Sequence, residues 1–158
     1  MKRYTLFAGV NGAGKTSIYK SVFFSEDYIG KRINTDEMVA RIGSWQDNNL
    51  QIKAGREAVK MIDYYIKNDI SFHQETTLSG KSIIMNINKA KEKGFFVVMN
   101  YIGLESAEIA KVRVKFRVSK GGHGIPDEFI QLINIKNGKL TWKDKIIPEW
   151  AKIILKQL

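Results

Sequence analysis

Apolar residues fall along this chain in two arrangements: short unbroken runs, and longer segments in which they recur every three or four positions. Residues 4–8 form a nearly continuous apolar run that ends in glycines, the pattern of a strand covered on both faces. Residues 16–24 then read as a helix opening directly from the glycine loop. Residues 31–34 predict a short second strand, and Thr35-Asp36-Glu37 begins a helix carrying Met38, Val39 and Ile42. Between Asn49 and Asn68, the residues Leu50, Ala54, Ala58, Met61, Ile62, Tyr65 and Ile66 are spaced for the clearest amphipathic helix in the chain. A third strand is expected over 69–76. A helix over 81–93 follows from the spacing of Ile83, Ile84, Ile87 and Ala90, with Gly94 as its C′ residue, and 95–102 predicts a buried strand. Four alternations of strand and helix predict an α/β layered domain, a mainly parallel sheet with right-handed crossovers flanked by helices.

Two further segments are less uniform. Residues 111–118 alternate basic and apolar side chains, which by periodicity alone is a strand. A helix fits as well, with Ile109, Val112 and Phe116 inward and Arg113, Arg117 and Lys120 on one outer face. Asn137-Gly138 between two apolar stretches predicts a type I′ hairpin, and Pro148 opens a short terminal helix.

With 158 residues, the chain has the size of one domain, divided here into a core (1–110), a basic lid or substrate region (111–130) and the hairpin with its helix (131–158). Its formal charge of +10 is uneven. Residues 1–110 carry 15 basic and 12 acidic groups, whereas residues 111–158 carry 11 and 4, so the excess lies in the last third and favours phosphate-bearing partners. The absence of Cys excludes a disulfide framework, a thiol nucleophile and Cys-ligated metal centres. Met1-Lys2-Arg3 and the apolar run behind it imitate a secretory leader, but Asn11-Gly12-Ala13-Gly14-Lys15 interrupts the run with no cleavage site after it. No stretch approaches 18 apolar residues. A cytoplasmic protein with no membrane partner is the expectation.

Gly9-Val10-Asn11-Gly12-Ala13-Gly14-Lys15-Thr16 matches G-x-x-x-x-G-K-[ST], placed between a predicted strand and a predicted helix. Glycines let the backbone turn tightly, so that successive N–H groups meet phosphate oxygens at a helix N-terminus whose partial positive charge favours anions. Lys15 supplies a compact cation, and the Thr16 hydroxyl is a Mg²⁺ ligand. With Ser17, these residues are the candidate nucleotide-binding set.

No apolar run ends in Asp or Asp-Glu as a Walker B metal holder would. The candidate carboxylates are Asp36, about twenty positions beyond Lys15, and Glu75 in Glu75-Thr76-Thr77-Leu78-Ser79-Gly80. In a parallel sheet both strand ends share an edge with the phosphate loop, which is the placement that phosphoryl transfer to a small molecule needs. Each has a plainer alternative: Asp36 as a first-turn acidic residue behind an Asn34 or Thr35 cap, and Glu75 as a solvated strand-end carboxylate. His73 reads as a sheet histidine, Trp45, Trp142 and Trp150 as packing residues, and the two histidines lack metal-site spacing.

The ordered series Gly9–Thr16, Asn34-Thr35-Asp36, Glu75-Thr76-Thr77-Leu78-Ser79-Gly80, Tyr101-Ile102-Gly103-Leu104 and Arg113 through Gly121-Gly122-His123-Gly124-Ile125-Pro126 resembles the zeta-toxin family of P-loop kinases over about residues 3–130. It is more similar to the chromosomal zeta-like ATPases than to plasmid toxins. The resemblance implies a P-loop NTPase fold and a kinase that uses ATP or GTP with Mg²⁺ to phosphorylate a small-molecule hydroxyl; zeta toxins use UDP-N-acetylglucosamine. By the same resemblance, Lys15 and Thr16 bind nucleotide and metal, Asp36 is the catalytic base and lies with Thr76, Thr77 and His123 on the substrate side, and Glu75 belongs to the substrate and metal side. Arg113 and Arg117 reach the transferring phosphate, the 111–118 segment is a helix, and an antitoxin protein is an implied partner.

After Pro126 the chain departs from the family pattern. It reads Asp127-Glu128-Phe129-Ile130 where an arginine pair and a tyrosine are normal, then passes straight to the hairpin, as an internal deletion would leave it. The competing readings are a nucleotide-binding remnant without full activity, and a nucleic-acid-binding protein that uses the basic last third. No nucleic-acid-recognition signature supports the latter.

Overall fold

The computed structural model describes residues 1–22, 30–78 and 81–124, together with two strands at 133–136 and 139–142. In chain order the elements are β1 (Arg3–Ala8), α1 (Lys15–Val22), β2 (Lys31–Ile33), α2 (Thr35–Ile42), α3 (Asn48–Lys67), β3 (Phe72–Thr76), α4 (Ser82–Glu92), β4 (Phe96–Tyr101), α5 (Ala107–Ser119), β5 (Ile133–Lys136) and β6 (Lys139–Trp142). The first four strands form one parallel sheet in the order β2-β3-β1-β4. β5 and β6 pair antiparallel, Ile133 opposite Trp142 and Lys136 opposite Lys139, so the expected hairpin strands are present. The expected turn at 137–138, the terminal helix after Pro148 and the departure from the family pattern after Pro126 lie outside the described residues.

Residues alternate across the sheet, and the two faces have different coverings. Tyr4, Leu6 and Ala8 of β1, Phe72 of β3 and Ile33 of β2 pack against Ala58, Ile62 and Ile66 of α3 and Ile83 and Ala90 of α4 in the main core. The opposite face carries Phe7 against Tyr19 of α1, and His73, whose ring stacks on Tyr19 at 4.8 Å. α4 ends as its sequence predicts: the Gly94 N–H donates to the Lys91 carbonyl and the Phe95 N–H to the Ala90 carbonyl, the paired bonds of a Schellman cap.

Two expectations need correction. The run at 95–102 is not a fully buried strand: β4 lies at the sheet edge, and Phe96 is 51% exposed. An apolar run records how many contacts a strand can make, while the number of neighbours is set by topology. Residues 111–118 are helical, within α5, but the inward side chains are Ala107, Ala110 and Val114, whereas Val112 and Phe116 are each 65% exposed. Ala107, Ala110 and Val114 join Val10 and Ala13 of the phosphate loop in a separate cluster, with Ile102 and Leu104 against it. Among the described residues, no helix is long and apolar enough to cross a membrane.

Candidate active site

β1 ends at Ala8 in the middle of the sheet, between β3 and β4, and the next residues turn into the N-terminus of α1. The loop is held close to α5. At Gly12, where φ is +82°, an added Cβ would stand 2.7 Å from the Ala110 carbonyl oxygen, a spacing no side chain can take. Lys15 folds back over the loop, and its Nζ donates to the carbonyls of Gly9 at 2.8 Å and Val10 at 3.0 Å. Burial holds the Lys15 pKa below the ordinary lysine value; Glu75 and Asp36 oppose that shift, and Arg117 adds to it.

The next side chain meets a carboxylate. Thr16 Oγ1 donates to Glu75 Oε2 at 2.8 Å, and Arg32 Nη2 donates to Glu75 Oε1 at 2.5 Å. Glu75 is the penultimate residue of β3, whose Phe72 to Thr76 pair in register with Tyr4 to Ala8, so its position is fixed by the strand beside the phosphate loop. Its side chain is only 8% exposed, with both oxygens engaged. Arg32 also grips Glu37 through Nε and Nη2 at 3.0 and 2.8 Å, and lies over the Tyr19 ring at 4.0 Å. The sequence reading missed Arg32. Its signal was an arginine in a short strand directly before Asn34-Thr35-Asp36, which only the fold connects to Glu75.

Asp36 stands in the first turn of α2. Asn34 is indeed the N-cap, its side chain accepting from the N–H groups of Asp36 and Glu37, and the Asp36 carboxylate still turns into the cleft. His123 Nε2 lies 3.7 Å from Asp36 Oδ1. Gly121 and Gly122 form the cap of α5: their N–H groups donate to the carbonyls of Val118 and Arg117, both at 2.9 Å. The chain then brings His123 against the Trp45 ring, 5.5 Å between centroids. Burial first, then Arg117, lowers the His123 pKa, against the pull of Asp36.

These groups line one cleft of about 980 Å³. Of the predicted set, residues 11–17, Asp36, Glu75, Thr76, Thr77, Arg113, Arg117 and His123 all border it; Gly9 and Val10 do not, and serve as the carbonyl seats of Lys15. Arg113 Nη1 reaches the Gly12 carbonyl at 3.5 Å. Arg117 keeps Nε and Nη2 buried without a hydrogen-bond partner among the described residues.

No family model matches the chain. A protein of Haemophilus influenzae (strain ATCC 51907 / DSM 11121 / KW20 / Rd), described as an uncharacterized protein, is 38% identical over 125 residues, 79% of this chain and 87% of that one. This chain belongs to the family of that Haemophilus protein. Among solved structures, a chain of the Pnkp1/Rnl/Hen1 RNA repair complex is similar with a TM-score of 0.63 at 18% identity, over 82% of this chain and 42% of its own length. A chain from Chloroflexus aurantiacus j-10-fl, provisionally named a kinase, gives a TM-score of 0.60 at 13% identity, over 80% and 73%. Our chain therefore spans less than half of the first of these. At such identities the likeness is one of fold, and with the parallel sheet and the loop from β1 into α1 it makes the fold that of a P-loop NTPase.

Proposed function

We propose that this protein is a kinase that binds ATP or GTP at the phosphate loop and transfers the γ-phosphoryl group to a hydroxyl of a small molecule. The observation that carries the reading is convergence: Lys15, the Thr16–Glu75 pair, Asp36 and the arginines of α5 border one cleft although they come from four elements. Asp36 accepts the proton of the attacking hydroxyl, the new O–P bond forms at the γ-phosphorus, and the bond to the β–γ bridging oxygen breaks, releasing the nucleoside diphosphate. Lys15, Arg113 and Arg117 neutralise charge on the transferring group. The unpartnered Nε and Nη2 of Arg117 are the donors such a group would take up.

The oxygen donors fit Mg²⁺. Thr16 Oγ1 and the Glu75 carboxylate already face one another at 2.8 Å, and among the described residues no cluster of three or more acidic or histidine side chains forms an all-protein cage. That is the pattern of a cation held by one hydroxyl, a nearby carboxylate and substrate phosphates. When bound, Mg²⁺ supplies charge neutralisation at the β- and γ-oxygens. Thr76, Thr77 and His123 border the same cleft on the acceptor's path.

UDP-N-acetylglucosamine enters as an acceptor through the zeta-toxin resemblance, as does an antitoxin partner. The likeness to a chain of an RNA repair complex adds RNA as a candidate acceptor. The test is transfer from γ-labelled ATP with Mg²⁺ to these and a panel of small hydroxyl compounds, for wild type and Asp36→Asn, with nucleotide binding measured separately. Transfer abolished only by the substitution supports the reading. Binding without transfer to any acceptor moves the protein to the class of nucleotide-binding remnants.

A further inference from the structure

The cleft has a second half that the phosphate chemistry leaves unused. Gln74 of β3 sits in register with Leu6 and Ile33, on the sheet face turned toward α3 and α4 and opposite α1. Beside it Gln51 of α3 and Ser82, Ile83 and Asn86 of α4 complete a recess continuous with the phosphate-loop end. Amides in such a place cost stability unless they are paired, and two of the three are already oriented. The Tyr4 hydroxyl donates to Gln74 Oε1 at 2.6 Å, which leaves the Gln74 NH₂ group as a pair of donors. Gln51 Nε2 donates to the Trp45 carbonyl at 2.9 Å, which leaves its Oε1 as an acceptor. Asn86, only 9% exposed on the buried face of α4, has neither kind of partner in any hydrogen bond among the described residues, and it borders the cleft with the buried Ile83 as an apolar wall.

The charges are arranged differently. Among the described lining residues the cations are Lys15, Arg113 and Arg117, and these belong to the phosphate loop or to α5. Asp36 borders the same cleft, and its carboxylate disfavours an anion there. Resting on the kinase reading above, we infer that the recess bounded by Gln51, Gln74 and Asn86 is the acceptor site and selects an uncharged ring that offers hydrogen-bond donors and acceptors on one edge, as a free nucleoside does, over the phosphorylated form of the same molecule. A cleft of mainly fixed amides with one apolar wall complements such an edge, whereas a phosphate there would meet no cation from these residues and one carboxylate.

Calorimetric titration of the full chain, loaded with Mg²⁺ and a non-hydrolysable ATP analogue, tests this with matched pairs: the four ribonucleosides, glucose and N-acetylglucosamine, each beside its monophosphate. Neutral members should bind at least about tenfold more tightly than their phosphates, a difference on the order of 1.4 kcal/mol. Asn86→Leu, and Gln74→Glu, which keeps an acceptor for the Tyr4 hydroxyl but removes the donors, should each weaken the neutral ligand at least about tenfold with analogue affinity unchanged. Tighter binding of the phosphates, no binding of any neutral member, or indifference to both substitutions overturns the inference. Failure of wild type to bind the analogue would instead overturn the kinase reading beneath it.

Discussion

Thr16 and Glu75 are 59 positions apart in the chain, yet the Thr16 hydroxyl donates to Glu75 Oε2 at 2.8 Å while Arg32 holds the other oxygen. Arg32 also binds Glu37, the residue after Asp36, so a single guanidinium ties the strand end beside the phosphate loop to the helix that carries the proposed base. Arg32→Met should therefore act twice. It leaves Glu75 a buried, unpaired carboxylate, a loss on the order of 3 kcal/mol in urea unfolding. It should also raise the Mg²⁺ concentration needed for half-maximal nucleotide binding, which a loss of packing alone would not do. Arg32→Lys should restore part of the stability but less of the metal response, because an ammonium lacks the planar fork. An unaltered Mg²⁺ requirement in Arg32→Met would refute the link.

Asp36 has the exposure a base needs, its side chain 45% accessible within the cleft. Replacing it with Asn keeps the shape and removes the proton acceptor. Transfer should fall by roughly 10²–10⁴-fold, with nucleotide affinity within a few fold of wild type. A variant that keeps its rate would assign the proton to another group.

At Gly12 the phosphate loop comes up against the backbone of α5. Gly12→Ala places a Cβ 2.7 Å from the Ala110 carbonyl at a φ of +82°, so α5 must move away and carry Arg113 with it. The expected result is a loss of about 1–3 kcal/mol in stability together with weakened nucleotide binding. Gly14 provides the control, since an added Cβ there meets nothing within 4 Å although φ is +94°. Gly14→Ala should cost the backbone strain without displacing α5. Equal effects of the two on nucleotide affinity would argue against the close approach as the cause.

His73 is fully buried between Tyr19 and the sheet, and burial, with the nearby Arg32 guanidinium, lowers its pKa from 6.5 to about 4. The unfolded chain therefore takes up this proton first as pH falls. Stability from the buried neutral ring is complete above about pH 6.5 and is lost as pH drops toward 4, up to roughly 3 kcal/mol at about 1.36 kcal/mol per pH unit. Urea midpoints at pH 7.5 and 4.5 should fall less for His73→Leu than for wild type. Parallel losses in the two proteins would show that His73 does not titrate on unfolding.

Much of this protein can be read from local pattern. The run at 4–8, the phosphate-loop spacing, the periodicity of α3 and the glycine closing α4 each depend on residues within one or two turns of one another, so sequence alone determines them. Asn34 as the cap of α2 is of this kind, and so is the position of Asp36 in the first turn of that helix. What the sequence could not determine was anything set by neighbours distant in the chain. The apolar character of 95–102 is the same at an edge as in the middle of a sheet, and only the strand order β2-β3-β1-β4 made it an edge. The apolar residues of α5 suggested Val112 and Phe116 as the inward face, but the helix turns the face of Ala107, Ala110 and Val114 toward Val10 and Ala13 of the phosphate loop, an orientation set by tertiary packing. The local signal of Arg32, an arginine in a short strand, does not disclose its role, which comes from the register of β2 on β3 that sets it beside Glu75. Composition and spacing determined that this chain has a phosphate-binding loop on a parallel α/β scaffold; strand order and close packing decided which carboxylate faces Thr16, which cation holds it, and which amides line the other half of the cleft.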